Sequence, residues 1–219
     1  MKISKLLLIT VLGSTAFVTQ ALQASVLTLA GGPKADNGVN IAVSAKGTIE
    51  GRAISVNHVS EGLRSKVVVF PIKIYVAQML VSDTSKYSCS ANALISVGSM
   101  PQSALVATFL HQVTSDQLVT SFKDSFASNN VDVANASVKA FLDNVAASGP
   151  ILNNQIFTIV GENLPDRTEA VTFEGASGGP KTVHGGKGFI NSIFSIWLGN
   201  PADNELAKLK SQLTTCGAN

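Results

Sequence analysis

Glu61-Gly-Leu-Arg-Ser-Lys-Val-Val-Val-Phe-Pro-Ile-Lys-Ile-Tyr-Val-Ala-Gln-Met-Leu-Val81 decides the fold. It is the longest β-branched and apolar run beyond the N-terminus, and that composition favours strand. Pro71 has no N–H to give to a ladder, so it marks an edge, a bend or a bulge between two halves. In the second half Lys73, Tyr75, Ala77 and Met79 share one face, and Ile72, Ile74, Val76, Gln78 and Leu80 share the other. Arg64 stands at the mouth of the run. A cation beside a long apolar strand suits a greasy ligand with an anionic end. The plainer alternative is an arginine at a solvated strand end with its stem packed down.

Outward from this stretch, the N-terminal side reads as strands and turns. Ser25 to Ala30 is a short apolar run broken by Gly31-Gly-Pro33, and Asp36-Asn-Gly38 is a turn signal. Val39 to Ala45 alternates, Lys46-Gly47 reads as another turn, and Thr48 to Val59 as strand. On the other side, Ser82 to Asn92 reads as a loop holding Tyr87 and Cys89, and Ala104 to Gln112 as strand.

Two helices follow. Thr114 to Gln117 fits a capping box, and Leu118, Phe122 and Phe126 form one stripe. The second helix runs over Ala134 to Ser148, with Val138, Phe141, Leu142 and Val145 at helical spacing and Gly149-Pro150 as its stop. Strands return at Gln155 to Val160 and Ala170 to Glu174, and Thr182-Val-His184 reads as a turn. A helix at Gly188 to Leu198 carries the apolar face Phe189, Ile190, Ile193, Phe194 and Trp197, and a last one covers Ala202 to Leu213. Strands, two helices, strands, two helices is not the regular alternation of a parallel sheet. It predicts an α+β fold, an antiparallel sheet with helices on one face.

The ends and the composition set bounds. Residues 1–24 read as a secretory signal: Lys2 and Lys5, an apolar stretch from Leu6 to Val18, then Ala21 and Ala24 as cleavage positions. The apolar stretch is shorter than the roughly 20 residues of a membrane span, and the alternative is an uncleaved anchor. Without Lys2 and Lys5, fourteen basic residues face fourteen acidic ones, so residues 25–219 are formally neutral. No basic stripe points to nucleic acid. Residues 25–219 fit a single domain in the periplasm or secreted space. Cys89 and Cys216 both lie beyond the signal, and an oxidising compartment favours a bridge between them over two free thiols. His58, His111 and His184 are isolated, without metal-ligand spacing, so no metal and no cofactor is expected. Gly185-Gly-Lys-Gly188 before a helix could cradle an anion but lacks the full phosphate-loop pattern.

Two blocks resemble a known family. Gly62-Leu-Arg-Ser-Lys followed by Lys73-Ile-Tyr-Val-Ala resembles the central strands of the chalcone isomerase-like family. Gln155-Ile-Phe-Thr-Ile, Val171-Thr-Phe-Glu-Gly and Gly188-Phe-Ile-Asn-Ser-Ile-Phe-Ser-Ile-Trp-Leu-Gly199, then Pro201, are similar to the C-terminal half of its bacterial members. The likeness spans residues 40 to 213. It implies an open-faced β-sandwich, a large antiparallel sheet packed against a layer of helices, with a ligand cleft between them. Plant members close a chalcone to a flavanone. Plastid relatives without that activity bind fatty acids, with an Arg and a Tyr near the carboxylate.

Carried over by resemblance, Arg64 matches the Arg shared by both groups. Tyr75 falls where the enzymes carry a Thr. Gln117 takes the place of their active-site Tyr, Asp124 falls near their Asn, and Ile196-Trp197 replaces a Thr-Met or Ser-Met pair. Ring closure needs donors aimed at the developing charge, and most of those hydroxyls are lost here. An arginine suits a carboxylate equally well. The expectation is therefore a binding protein for a fatty acid or similar apolar anionic ligand at Arg64, Tyr75, Gln117, Asp124, Ile196 and Trp197. The alternatives are a chalcone isomerase-type intramolecular lyase and an interaction module without ligand.

Overall fold

Asn37-Gly38 and Glu50-Gly51 both adopt positive φ, 48° and 82° in the first pair and 48° and 79° in the second. Two-residue hairpin turns need this backbone. The computed structural model describes residues 25–67, 69–90 and 92–215. In these residues the two turns join β1 (Leu27–Asp36) to β2 (Val39–Ile49) and β2 to β3 (Arg52–Val67). The turn expected at Lys46-Gly47 is absent. β2 runs through it, and Gly47 lies where the Val26 backbone crosses too close for a Cβ. The break expected at Gly31 to Pro33 is a register irregularity within β1, not its end.

The central stretch is a hairpin rather than one interrupted strand. β3 and β4 (Pro71–Val81) pair antiparallel down to Val67 opposite Pro71. Pro71 opens the second arm, the strand position that tolerates a missing donor. From Tyr75 to Val81 both faces of β4 are buried. Tyr75, Ala77 and Met79 pack toward the helices, and Val76 and Leu80 pack on the opposite side. Two buried faces explain why the run shows no polar alternation.

After β4 comes a 3-10 turn at Thr84–Lys86, then α1 (Ala93–Ser99) and β5 (Gln102–Phe109). The short, β-branched α1 went unread in the sequence. α2 (Ser115–Ser128) starts at Thr114 with the expected capping box, and α3 (Ala136–Ala146) is capped by the Asn135 side chain. β6 (Ile156–Asn163), β7 (Glu169–Glu174) and β8 (Lys181–Gly185) complete the sheet. Thr182-Val-His184 is thus strand, not turn, and its Thr182 hydroxyl meets that of Thr172 at 2.8 Å across the ladder. α4 (Phe189–Leu198) and α5 (Asn204–Leu213) close the described chain.

All eight strands form one antiparallel sheet in sequence order. It curls. Glu174 on β7 accepts from the Val26 N–H at 2.9 Å, next to the start of β1. Buried Glu162 on β6 takes the Arg52 side chain through Nε and Nη2 at 3.1 and 3.0 Å. The inside of the curl holds Leu27, Ala45, Ile54, Val56, Leu80, Val106 and Val160. The other face carries the helices over a larger core of Phe109, Phe122, Phe141, Phe157, Phe173, Phe194 and Trp197. This is the α+β, open-faced architecture that the sequence predicted, with a more strongly curled sheet.

Candidate functional site

Arg64 lies directly opposite Tyr75 across the β3–β4 ladder. Directly opposed residues of an antiparallel pair project to the same face. Immediately beyond this pair the register slips: Ser65 pairs with Lys73, so β4 carries one extra residue, Ile74. The bulge carbonyl is satisfied by the Leu110 N–H at 2.8 Å and the His111 N–H at 3.3 Å. One consequence corrects the strict alternation read from sequence. Ile72 and Ile74 line the same cleft as Tyr75 rather than the face behind it.

The cleft measures about 700 Å³ and lies between the outer end of the β3–β4 hairpin, α2, and the start of α5. That is the size range of small-molecule sites, roughly 300–1,000 Å³. Its apolar lining includes Ile72, Ile74, Leu118, Phe122, Ile196 and Leu206. Its polar lining includes Arg64, Tyr75, His111, Asp116, Gln117, Asp124 and Asp203. Of the residues picked out in the sequence, Arg64, Tyr75, Gln117, Asp124 and Ile196 line it. Trp197 does not. It is buried behind the cleft, edge-on to Phe122 with ring centroids 5.5 Å apart. Its indole N–H donates to the Tyr75 hydroxyl at 3.0 Å. Trp197 therefore acts on the cleft through Tyr75. Ile196 and Trp197 are neighbours on a helix, so they point in different directions.

The charges are arranged around Asp203, which the sequence reading did not single out. Asp203 is the N-cap of α5, its Oδ1 accepting from the Leu206 N–H at 2.7 Å. The same carboxylate takes Arg64 in a fork, Nη1 to Oδ1 at 3.0 Å and Nη2 to Oδ2 at 2.6 Å. A further Nη1 hydrogen goes to the Ser65 carbonyl at 2.6 Å. These bonds use three of the five guanidinium N–H groups. The Arg64 side chain is 10% exposed, whereas that of Asp203 is 50% exposed. Arg64 is thus neither the free cation of a waiting anion site nor a solvated strand-end charge. Burial pushes the Asp203 carboxyl up, but the Leu206 N–H and Arg64 outweigh it and hold it below the ordinary aspartate value. Burial raises the Tyr75 phenol, more than Arg64 and Trp197 lower it. The phenol is therefore neutral at physiological pH, accepts from Trp197, and keeps its own proton to donate.

Gln117 lines the cleft with its amide oxygen already committed. Its Oε1 accepts from the Thr114 N–H at 2.9 Å within the capping box. Asp124 stands exposed on the rim. The anion cradle suggested by Gly185 to Gly188 is filled by the protein itself. Glu169 accepts from the Gly188 and Ile190 N–H groups at 2.7 and 2.6 Å, at the start of α4. Among the described residues no group of His, Cys, Asp and Glu is placed to hold a metal ion.

Gly62, which opens the motif around Arg64, has a packing reason. A Cβ there would come within 2.8 Å of Gln212 and Leu209 on α5. The bare backbone lets α5 lie against β3, and that contact carries Asp203 to Arg64. The helix expected from Ala202 starts at Asn204, which makes Asp203 its cap; an Asp soon after Pro201 and ahead of Leu206, Leu209 and Leu213 is the sequence signal for that. Nothing in its spacing names Arg64 as partner.

The model of a family described as chalcone isomerase-like matches residues 37–213. The crystal structure of an Arabidopsis thaliana fatty-acid binding protein has a similar fold, with a TM-score of 0.56 at 12% identity, covering 85% of this chain and 96% of that one. No curated protein matches the sequence.

Proposed function

The chain belongs to the chalcone isomerase-like family, and on that premise we propose that it is an exported, non-catalytic protein that binds a fatty acid or similar apolar anionic ligand between sheet and helices. The observation that carries this reading is the cleft of about 700 Å³ whose apolar wall ends at Arg64 and Tyr75. The fatty-acid binding function of the Arabidopsis protein with the same fold adds support.

The acyl tail lies along Ile72, Ile74, Leu118, Phe122, Ile196 and Leu206. Each Å² of apolar surface removed from water contributes about 25 cal/mol before ordering costs. The carboxylate meets the Tyr75 O–H and the N–H groups of Arg64 that Asp203 leaves open. It also competes with Asp203 for the fork. Asp203, half-exposed and held by a backbone N–H as well, can give up the guanidinium without being stranded in a dry site.

The test is a calorimetric titration with palmitate. Arg64→Ala is expected to weaken binding about tenfold to a hundredfold, the equivalent of one charge-assisted bond. Arg64→Lys restores part of it, because an ammonium lacks the planar fork. Tyr75→Phe costs less, near one neutral hydrogen bond. Circular dichroism of each variant reports whether the fold survives loss of the Asp203 contact. No palmitate binding, or binding indifferent to Arg64→Ala in a folded variant, removes this function. Loss of chalcone absorbance catalysed by the wild type and abolished in Arg64→Ala would establish the isomerase instead.

A further inference from the structure

The outer end of the β3–β4 hairpin is built unlike the other turns of the sheet. Those turns carry Asn37-Gly38, Glu50-Gly51 and Asp166-Arg167, polar residues that water solvates. Here the tip exposes Val67 at 57%, Val69 at 78%, Phe70 at 76% and Ile72 at 36%. Exposed Lys66 and Lys73 flank it on the two arms. The β4–β5 ladder begins at Tyr75 opposite Phe109, so the pairs Ser65–Lys73, Lys66–Ile72 and Val67–Pro71 form a two-stranded ribbon projecting past the sheet. Nothing in hairpin geometry requires valine and phenylalanine there. A solvated turn with that composition is a cost unless something covers it.

We infer that this tip docks on an anionic lipid surface, with Val67, Val69 and Phe70 entering the interface and Lys66 and Lys73 held at the headgroups. Three observations select that occupant. Apolar side chains bracketed by lysines match the layering of a lipid surface, greasy below and anionic at the headgroup level. A second copy seated tip to tip would set lysines against lysines. The tip is also continuous with the cleft, because Lys66 and Ile72 belong to both. Docking therefore brings the cleft to the surface from which an acyl chain would be drawn or to which it would be released. This last point rests on the proposed lipid-binding function; the docking itself does not.

The experiment is flotation of the purified protein with large unilamellar vesicles, one set of phosphatidylcholine alone and one of phosphatidylcholine with phosphatidylglycerol. Wild type is expected to float with the anionic vesicles. Val69→Ser with Phe70→Ser should weaken that binding at least tenfold, the scale of one large apolar side chain returned to water. Lys66→Gln with Lys73→Gln should weaken it about fivefold per lysine on anionic vesicles. All four positions are solvent-exposed, so these variants keep the fold, and palmitate titration of the Val69→Ser, Phe70→Ser protein, whose two changed residues lie outside the cleft lining, should be unchanged. Flotation without palmitate binding would retire the cleft reading and sustain the docking tip. Palmitate binding without flotation would retire the tip alone. Flotation indifferent to both double variants, or a dimer in solution that Phe70→Ser abolishes, would overturn the inference.

Discussion

Asp203 offers a sharper probe of the cleft than Arg64, because Asp203→Asn changes the competitor and leaves the cation in place. The asparagine keeps an oxygen for the Leu206 N–H, so α5 retains its cap. It gives up the charge that draws the Arg64 fork. If the fork is where a fatty-acid carboxylate binds, Asp203→Asn should raise palmitate affinity by about tenfold, the scale of one charge-assisted hydrogen bond. Unchanged affinity in calorimetry would mean that the ligand carboxylate never reaches Arg64. The same residue sets a pH dependence. The folded carboxyl is held below the ordinary value, so the unfolded chain takes up the proton first as pH falls. The stability that Asp203 contributes is complete above roughly pH 4, the unfolded value, and is lost as pH falls through the lower folded value. In urea unfolding at stepped pH, the difference between wild type and Asp203→Asn should stay constant from pH 7 to about 4 and shrink below it. A difference that grows on acidification would refute the pairing.

At the scale of elements, the contact between α5 and β3 builds the site. Gly62 admits the helix, the helix carries its own cap, and the cap carries the charge to Arg64. Gly62→Val should therefore do more than overpack. It is expected to cost about 1–3 kcal/mol of stability and to push the start of α5 away from Arg64. The readout is a pair of measurements, the urea midpoint and the palmitate affinity. A variant with a lowered midpoint and unaltered palmitate affinity would show that α5 can move without disturbing the cleft. The β4 bulge acts at the same scale. One extra residue at Ile74 turns two isoleucines toward the cleft that a regular strand would hide.

For the molecule as a whole, the expected export and cross-link are tested at the chain ends. Residues 1–24 and Cys216 lie outside the described residues. The neighbourhood of the proposed Cys89–Cys216 bridge is described on one side: the Ser90 N–H donates to the Thr214 carbonyl at 2.8 Å. This bond brings the chain beside Cys89 to within two residues of Cys216. A bridge there would close a loop on the order of a hundred residues, with up to about 4.7 kcal/mol of stabilisation in the chain-entropy model. Alkylation under denaturing, non-reducing conditions should label no thiol. N-terminal sequencing of the same preparation should begin between Ala21 and Val26. Two labelled thiols would dismiss the bridge, and an intact Met1 in a membrane fraction would establish the anchor. Among the described residues no helix is long and apolar enough to cross a membrane.

Local chemistry made much of this chain legible. Hydrophobic spacing placed α2, α3, α4 and α5, Thr114 and Gln117 announced their capping box, and Asn37-Gly38 announced its turn, because each depends on residues a few positions apart. The order of elements then excluded a parallel sheet, and two motif blocks pointed to Arg64 and Tyr75. α1 escaped because its Ile and Val favour strand over helix, and β8 because it is only five residues long beside a pair of glycines; neighbouring elements impose both. What folding alone decided is the state of the site. No spacing reveals that Asp203 grips Arg64, that a bulge redirects Ile72 and Ile74, or that Trp197 stands behind Tyr75. The two hydrogen-bonded pairs join residues far apart in sequence, and only the packing of α4 and α5 against the sheet brings them together, while the bulge is set by the β3–β4 register and by the Leu110 and His111 N–H groups that hold its carbonyl.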